Sequence, residues 1–186
     1  MEKLSELDVE LLVFLNGLGS ESYDSFWRIA TNTIYWIPVF LIVFILLLKT
    51  SSKKEILLTL SSILLLALST GLVVFLFKEN VMRLRPNNDE TVSQMLRLVI
   101  RPVSYSFISG HAANSIAVTS FVVMVFREKT KWIYLFWLWP MLFIYSRLYF
   151  GVHYPSDIIS GVVIGFLLSF AFYRFHNFLG VKFRIY

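Results

Sequence analysis

Five long stretches of this chain carry no charged residue, and that pattern decides what it can fold into: residues 29–48, 56–77, 112–126, 132–146 and 158–173. A helix needs about 20 residues to cross the hydrocarbon core of a bilayer. Two of the stretches reach that length outright. The third and fourth are shorter and are separated by the charged turn 127–131, and the last is closed by Arg174. Hydrophobic residues make up 57% of the chain and charged ones 16%, against roughly 45–50% and about 25% in soluble domains. The expected architecture is an all-α polytopic membrane helix bundle, one domain over residues 1–186, with five transmembrane helices.

An amphipathic helix precedes them. Leu4, Leu7, Leu11, Leu15 and Leu18 recur on one helical face, with acids on the other, and Gly17 and Gly19 mark its end. It either lies on the membrane or caps the bundle, and if it inserts the spans number six. Glu2, Glu6, Asp8 and Glu10, with an apolar stretch of only residues 11–15, do not make a cleaved secretion signal.

Lysine and arginine placement gives an orientation. With five spans, residues 49–55, 127–131 and the tail from Arg174 share one side and hold nine basic and two acidic residues. Residues 1–28, 78–111 and 147–157 share the other, with eight basic and ten acidic. The first side is expected to be cytoplasmic and the second to face the periplasm or exterior of a bacterial inner membrane. The net charge of +5 follows from this topology; no basic patch interleaved with polar surface suggests nucleic acid. With no cysteine in the chain, disulfides, zinc–thiolate sites and thiol catalysis are excluded.

Ionisable residues gather at the outward span ends, where they are costly and therefore suspect. Lys78 and Arg85 are seven apart and followed by Pro86, a spacing that places both cations on one helical face. They could converge on an anion or snorkel to lipid headgroups. Ile108-Ser109-Gly110-His111 opens the third uncharged run; a small-residue turn there offers free N–H groups and the positive helix end to a phosphate, or is only a helix cap. Ser146-Arg147 precedes His153, and Asp157 lies four residues further on. A carboxylate at that spacing orients an imidazole for nucleophilic or base chemistry, and Arg147 suits bidentate phosphate contact. A structural His153–Asp157 pair capping the last helix has the same spacing. Together the clusters supply charge neutralisation, a nucleophile and a proton donor without a metal.

The three clusters in this order resemble the type 2 phosphatidic acid phosphatase superfamily, which also includes vanadate-dependent haloperoxidases and glucose-6-phosphatase. Its signature is Lys-x6-Arg-Pro, Pro-Ser-Gly-His and Ser-Arg-x5-His-x3-Asp. The first and third parts are complete here, and in the second Ile108 stands in place of proline. The resemblance covers residues 78–157. It implies His153 as nucleophile, Asp157 holding its tautomer, and His111 protonating the leaving group and then activating water. Lys78, Arg85, Ser109, Gly110 and Arg147 would bind the phosphoryl oxygens. No metal or other cofactor is implied, and the partners are a lipid phosphate substrate and membrane lipids. Phosphatidylglycerophosphate, phosphatidic acid, a polyprenyl diphosphate and a lipid A phosphate all remain open, as does the oligomeric state.

A membrane scaffold would account for the spans but not for cations and histidines recurring on one side; lipid translocation could coexist with hydrolysis. Arg83, Arg97 and Arg101 stand open between a substrate headgroup and anionic lipid. Pro38 and Pro140 are expected to kink helices, Gly161 and Gly165 to form a close helix contact, and His176 to lie in the inner tail.

Overall fold

The computed structural model describes residues 2–185, and among them there is helix but no strand. Seven α-helices follow in order: α1 Glu2–Gly17, α2 Glu21–Ala30, α3 Ile37–Thr50, α4 Lys53–Val81, α5 Gly110–Phe126, α6 Leu138–Tyr149 and α7 Pro155–Lys182. Three segments are long and apolar enough to cross a bilayer, Thr33–Thr50, Lys53–Asn88 and Pro155–Lys182, while α5 is a shorter apolar helix.

Local chemistry sets the helix ends. Ser52 and Glu55 form a reciprocal capping box at the start of α4, with Glu55 Oε2 accepting from Ser52 N at 2.6 Å. Pro155 opens α7, where its missing N–H would have had no helical partner. The two prolines expected to kink helices also stand near helix starts. Pro38 lies in the first turn of α3, and Pro140 is the third residue of α6, just after a 3-10 stretch at Lys131–Trp137. Residues 29–48 are not one helix either. Asn32 Oδ1 caps a 3-10 turn at Thr33–Trp36, accepting from Ile34 N at 3.0 Å, and that turn separates α2 from α3.

In α4 the buried positions are Thr59, Ser62, Leu66, Thr70 and Val74, while Leu57, Leu64, Leu68, Leu72 and Phe75 are exposed. A stripe of mostly small and polar residues thus packs inward and leucines face out, the arrangement suited to a lipid solvent. The α5–α7 contact is closer still. A Cβ on Gly161 would lie 2.7 Å from Ser109 O, and one on Gly165 would lie 2.6 Å from Ala113 O. The two glycines therefore let the backbones meet, as expected.

At one end of the bundle Lys129 donates to Ser51 Oγ at 2.6 Å and lies 3.6 Å from Glu55, which joins segments 49–55 and 127–131. Helix α7 continues through Arg174, so His176 is not in a tail: it is 3% exposed, with Nδ1 3.1 Å from Ser62 Oγ. At the other end α1 lies against α6 and α7. Its Leu7 and Leu11, and Leu18 just past its end, are exposed while Asp8, Leu12 and Asn16 are buried; the Leu4 side chain lies outside the described residues. The apolar face looks outward and one acid docks inward.

Candidate active site

Lys78 and Arg85 do not share a helical face. Helix α4 stops at Val81, where Met82 takes a left-handed conformation (φ 48°), and Arg85 follows in extended backbone. The turn redirects the chain so that both cations still converge. Lys78 Nζ donates to the Tyr105 carbonyl. Arg85 is anchored more fully: Nε donates to Ser104 O at 2.7 Å, one Nη to Ser104 Oγ at 3.0 Å, and the other to Val152 O at 2.9 Å. That last nitrogen also lies 3.1 Å from His153 Nε2.

This contact fixes the tautomer. A guanidinium only donates, so Nε2 must accept, and the ring proton of the neutral imidazole sits on Nδ1. Nδ1 faces Asp157 Oδ2 at 3.4 Å. The same Oδ2 accepts from Tyr154 N at 2.9 Å. The carboxylate therefore faces the imidazole and caps α7 at once. His153 is 1% exposed. Burial first, then the charges of Arg85, Arg147 and Lys78, push its pKa well below the ordinary value. The lone pair on Nε2 is kept free of a proton and beside a cation.

Ser109 is the N-cap of α5, its Oγ accepting from Ala112 N at 3.4 Å, and Gly110 and His111 form the first turn. Ile108, in place of proline, is 1% exposed and packs against Val74 and Ala113. Ser109 N donates to Asp157 O at 3.1 Å, which locks the starts of α5 and α7 together. The His111 ring stacks on Phe143 with centroids 4.6 Å apart. Arg85 meets His153, His153 meets Asp157, and Asp157 meets Ser109 beside Gly110 and His111, so these residues come together at one end of the bundle.

Arg147, near the end of α6, is 6% exposed and donates to Thr31 Oγ1 at 2.6 Å. Among the described residues none bonds its buried Nε. An unpaired charged donor costs on the order of 1–3 kcal/mol or more, so this nitrogen is suited to an anionic oxygen. Thr31, Ser104 and Ser106 escaped sequence reasoning; each is a hydroxyl residue outside the α-helices, with no motif to single it out. Ser106 Oγ lies 3.2 Å from the carbonyl oxygens of both Arg83 and Leu84, holding the turn that leads to Arg85.

Three arginines undecided in the sequence now have partners or a place. Arg97 pairs with Asp24 at 2.9 Å, and its backbone N donates to Asn16 Oδ1 at 2.7 Å, which ties the 82–109 loop to α1 and α2. Arg101 is exposed. Arg83 bridges Asp157 at 2.8 Å and Asp8 at 2.7 Å. Its guanidinium lies 3.8 Å over the Tyr154 ring, whose phenol burial pushes up to about 12 and so keeps neutral.

Comparison with known proteins identifies the family. The PAP2 superfamily model matches residues 56–180. A lipid A 4'-phosphatase of Bacteroides thetaiotaomicron is 33% identical over 177 residues, covering 93% of this chain and 78% of that protein. An undecaprenyl-diphosphatase of Sulfolobus acidocaldarius is 30% identical, covering 86% and 66%. Among solved structures, the transmembrane PAP2-type phosphatidylglycerolphosphate phosphatase of Bacillus subtilis superposes with a TM-score of 0.74 at 20% identity, covering 95% and 88%, and shares the fold. The chain belongs to the PAP2 superfamily, as an integral membrane phosphatase among its lipid phosphatases.

Proposed function

We propose that this protein hydrolyses a lipid phosphomonoester or diphosphate through a phosphohistidine on His153, at the outer face of a bacterial inner membrane. The observation that carries the reading is His153 itself: a neutral, buried imidazole with Nδ1 on Asp157 and Nε2 beside Arg85. In the first step Nε2 attacks phosphorus in line with the ester oxygen. Lys78, Arg85 and Arg147 spread over the phosphoryl oxygens, Arg85 exchanging its imidazole contact for one of them. The Ser109 hydroxyl and the Gly110 N–H, at the positive end of α5, add donors. His111 protonates the departing oxygen, then takes a proton from the water that releases phosphate. A loose, charge-spread transition state gains most from donors fixed in advance, and this scheme calls on no metal. Residues 1–186 act as one catalytic unit.

A groove of about 400 Å³ between α3, α4, α5 and α6 supports a lipid substrate. Phe40, Leu47, Val122 and Phe126 line its apolar depth, and Phe143, the plate under His111, lines it as well. An acyl or isoprenoid chain laid there would hold its headgroup toward the histidines. The relative at 33% identity favours a lipid A phosphate, and the relative at 30% a polyprenyl diphosphate. Phosphate release should be assayed in detergent with excess chelator from these two lipids, phosphatidic acid and phosphatidylglycerophosphate. Lipid A should be cleaved fastest; no release from any of the four would end the proposal. For orientation, Glu90→Cys adds a lone thiol to an exposed position in a chain without cysteine. It should react with an impermeant maleimide in spheroplasts, and labelling only after lysis would reverse the topology.

A further inference from the structure

Arg83 lies two residues before Arg85, yet its guanidinium is turned away from the phosphate-facing cations onto two carboxylates. We propose that Asp8 and Arg83 are positioning residues for the His153–Asp157 pair, which makes α1 a working part of the catalytic apparatus. The proposal rests on His153 being the nucleophile.

Arg83 Nη1 donates to Asp157 Oδ1 at 2.8 Å and to Ser156 Oγ at 2.7 Å, while Nη2 donates to Asp8 Oδ2 at 2.7 Å. With Oδ1 pinned, the Asp157 carboxylate cannot turn about its Cβ–Cγ bond without breaking a charge-assisted hydrogen bond. That turn is the motion that would carry Oδ2 away from His153 Nδ1. Asp8 fixes the other end of the bridge. Its Oδ1 accepts from Ser156 N at 2.8 Å, and Ser156 Oγ lies against its Oδ2. One guanidinium between two carboxylates, with its carbon 3.8 Å from the Tyr154 ring centroid, has little freedom left.

The route to α1 is equally direct. Asp8 is 9% exposed and Leu12 wholly buried, one helical turn apart on the inward face. Leu12 packs in one cluster with Val92 and Tyr154, the residue whose ring supports Arg83. Asn16, a further turn along, donates to Tyr149 O at 2.7 Å. Seating α1 therefore places Asp8 on Arg83 and, through Arg83, sets Asp157. A tie that merely fastens α1 to the bundle would have no need to end on the carboxylate that orients the nucleophile.

The test uses the purified full chain and inorganic phosphate, so it does not depend on knowing the lipid. An enzyme that forms phosphohistidine from phosphate and releases water, then reverses the step, washes ¹⁸O out of labelled phosphate. Asp8→Asn, Arg83→Gln and the double variant would be compared with the parent, each rate divided by the monodisperse protein present. In each variant the exchange rate at saturating phosphate should fall at least tenfold, with half-saturation moving less than threefold. Because Asp8 acts through Arg83, the double variant should lose no more than twofold beyond Arg83→Gln alone. Asp8→Ser replaces Asp8→Asn if the latter is not monodisperse. Parental exchange rates in the Asp8 variant, or losses that multiply in the double variant, overturn the proposal. No exchange in the parent instead removes the phosphohistidine beneath it.

Discussion

Each end of the bundle holds a buried histidine, and the two are partnered differently. His176, on α7, sets Nδ1 3.1 Å from the Ser62 hydroxyl and stands edge-on to Phe121 at 5.4 Å. His153, before α7, sets Nδ1 toward a carboxylate and Nε2 beside a guanidinium. The first environment serves helix packing. The second holds a lone pair in a fixed tautomer, next to charge that can follow the phosphoryl group. Partner chemistry, rather than burial or residue type, separates the proposed nucleophile from the packing residue.

That contrast can be broken at several strengths. His153→Ala should cut phosphate release from the best lipid by at least ~10³-fold, the scale of loss when a nucleophile that acts as part of a unit is removed. Retention of more than a tenth of the parental rate would end the distinction. A smaller effect concerns pH. Burial and then Arg85 hold the His153 pKa down, so Arg85→Gln should let it rise toward its ordinary value of about 6.5. A protonated imidazole cannot attack, and the parent stays neutral over a range in which the variant does not. The ratio of variant to parental kcat/KM, which cancels ionisation of the substrate, should therefore fall further as pH drops from about 8 to about 5.5. A flat ratio would show that Arg85 does not tune the imidazole. The smallest effect belongs to the far end. His176→Gln should leave turnover within about twofold and lower stability by about 1 kcal/mol, read as a lower thermal midpoint. Impaired turnover there would couple the two ends.

The sequence already carried much of this picture. The uncharged runs showed a membrane bundle because hydropathy reports solvent directly, and Lys78, Arg85, His111, Arg147, His153 and Asp157 were legible from spacing and order. The geometry between Lys78 and Arg85 was not. Nothing in Val81-Met82-Arg83 signals a helix stop, since a left-handed cap usually falls on glycine, and here it falls on Met82. The broken run 29–48 was hidden for a related reason: hydropathy does not tell a 3-10 turn from an α-helix. Asp8 was read as part of the polar face of an amphipathic helix. Its partner Arg83 is 75 residues away, and no local pattern predicts which charged residue on such a face turns inward. Thr31, which bonds Arg147, had no signal at all.

The glycine contact between α5 and α7 bears on how the protein meets membranes of unequal thickness. Helices answer a mismatch by tilting. With Gly161 against Ser109 O and Gly165 against Ala113 O, α5 and α7 would tilt as one piece, keeping His111, Asp157 and the neighbouring His153 in step. Lys78 rides on α4, whose glycine, Gly71, has nothing outside its own helix within 4 Å of where a Cβ would stand. A thinner or thicker bilayer should therefore be felt as a change in grip on the phosphate, through KM, while the spacing that governs kcat is carried across unchanged.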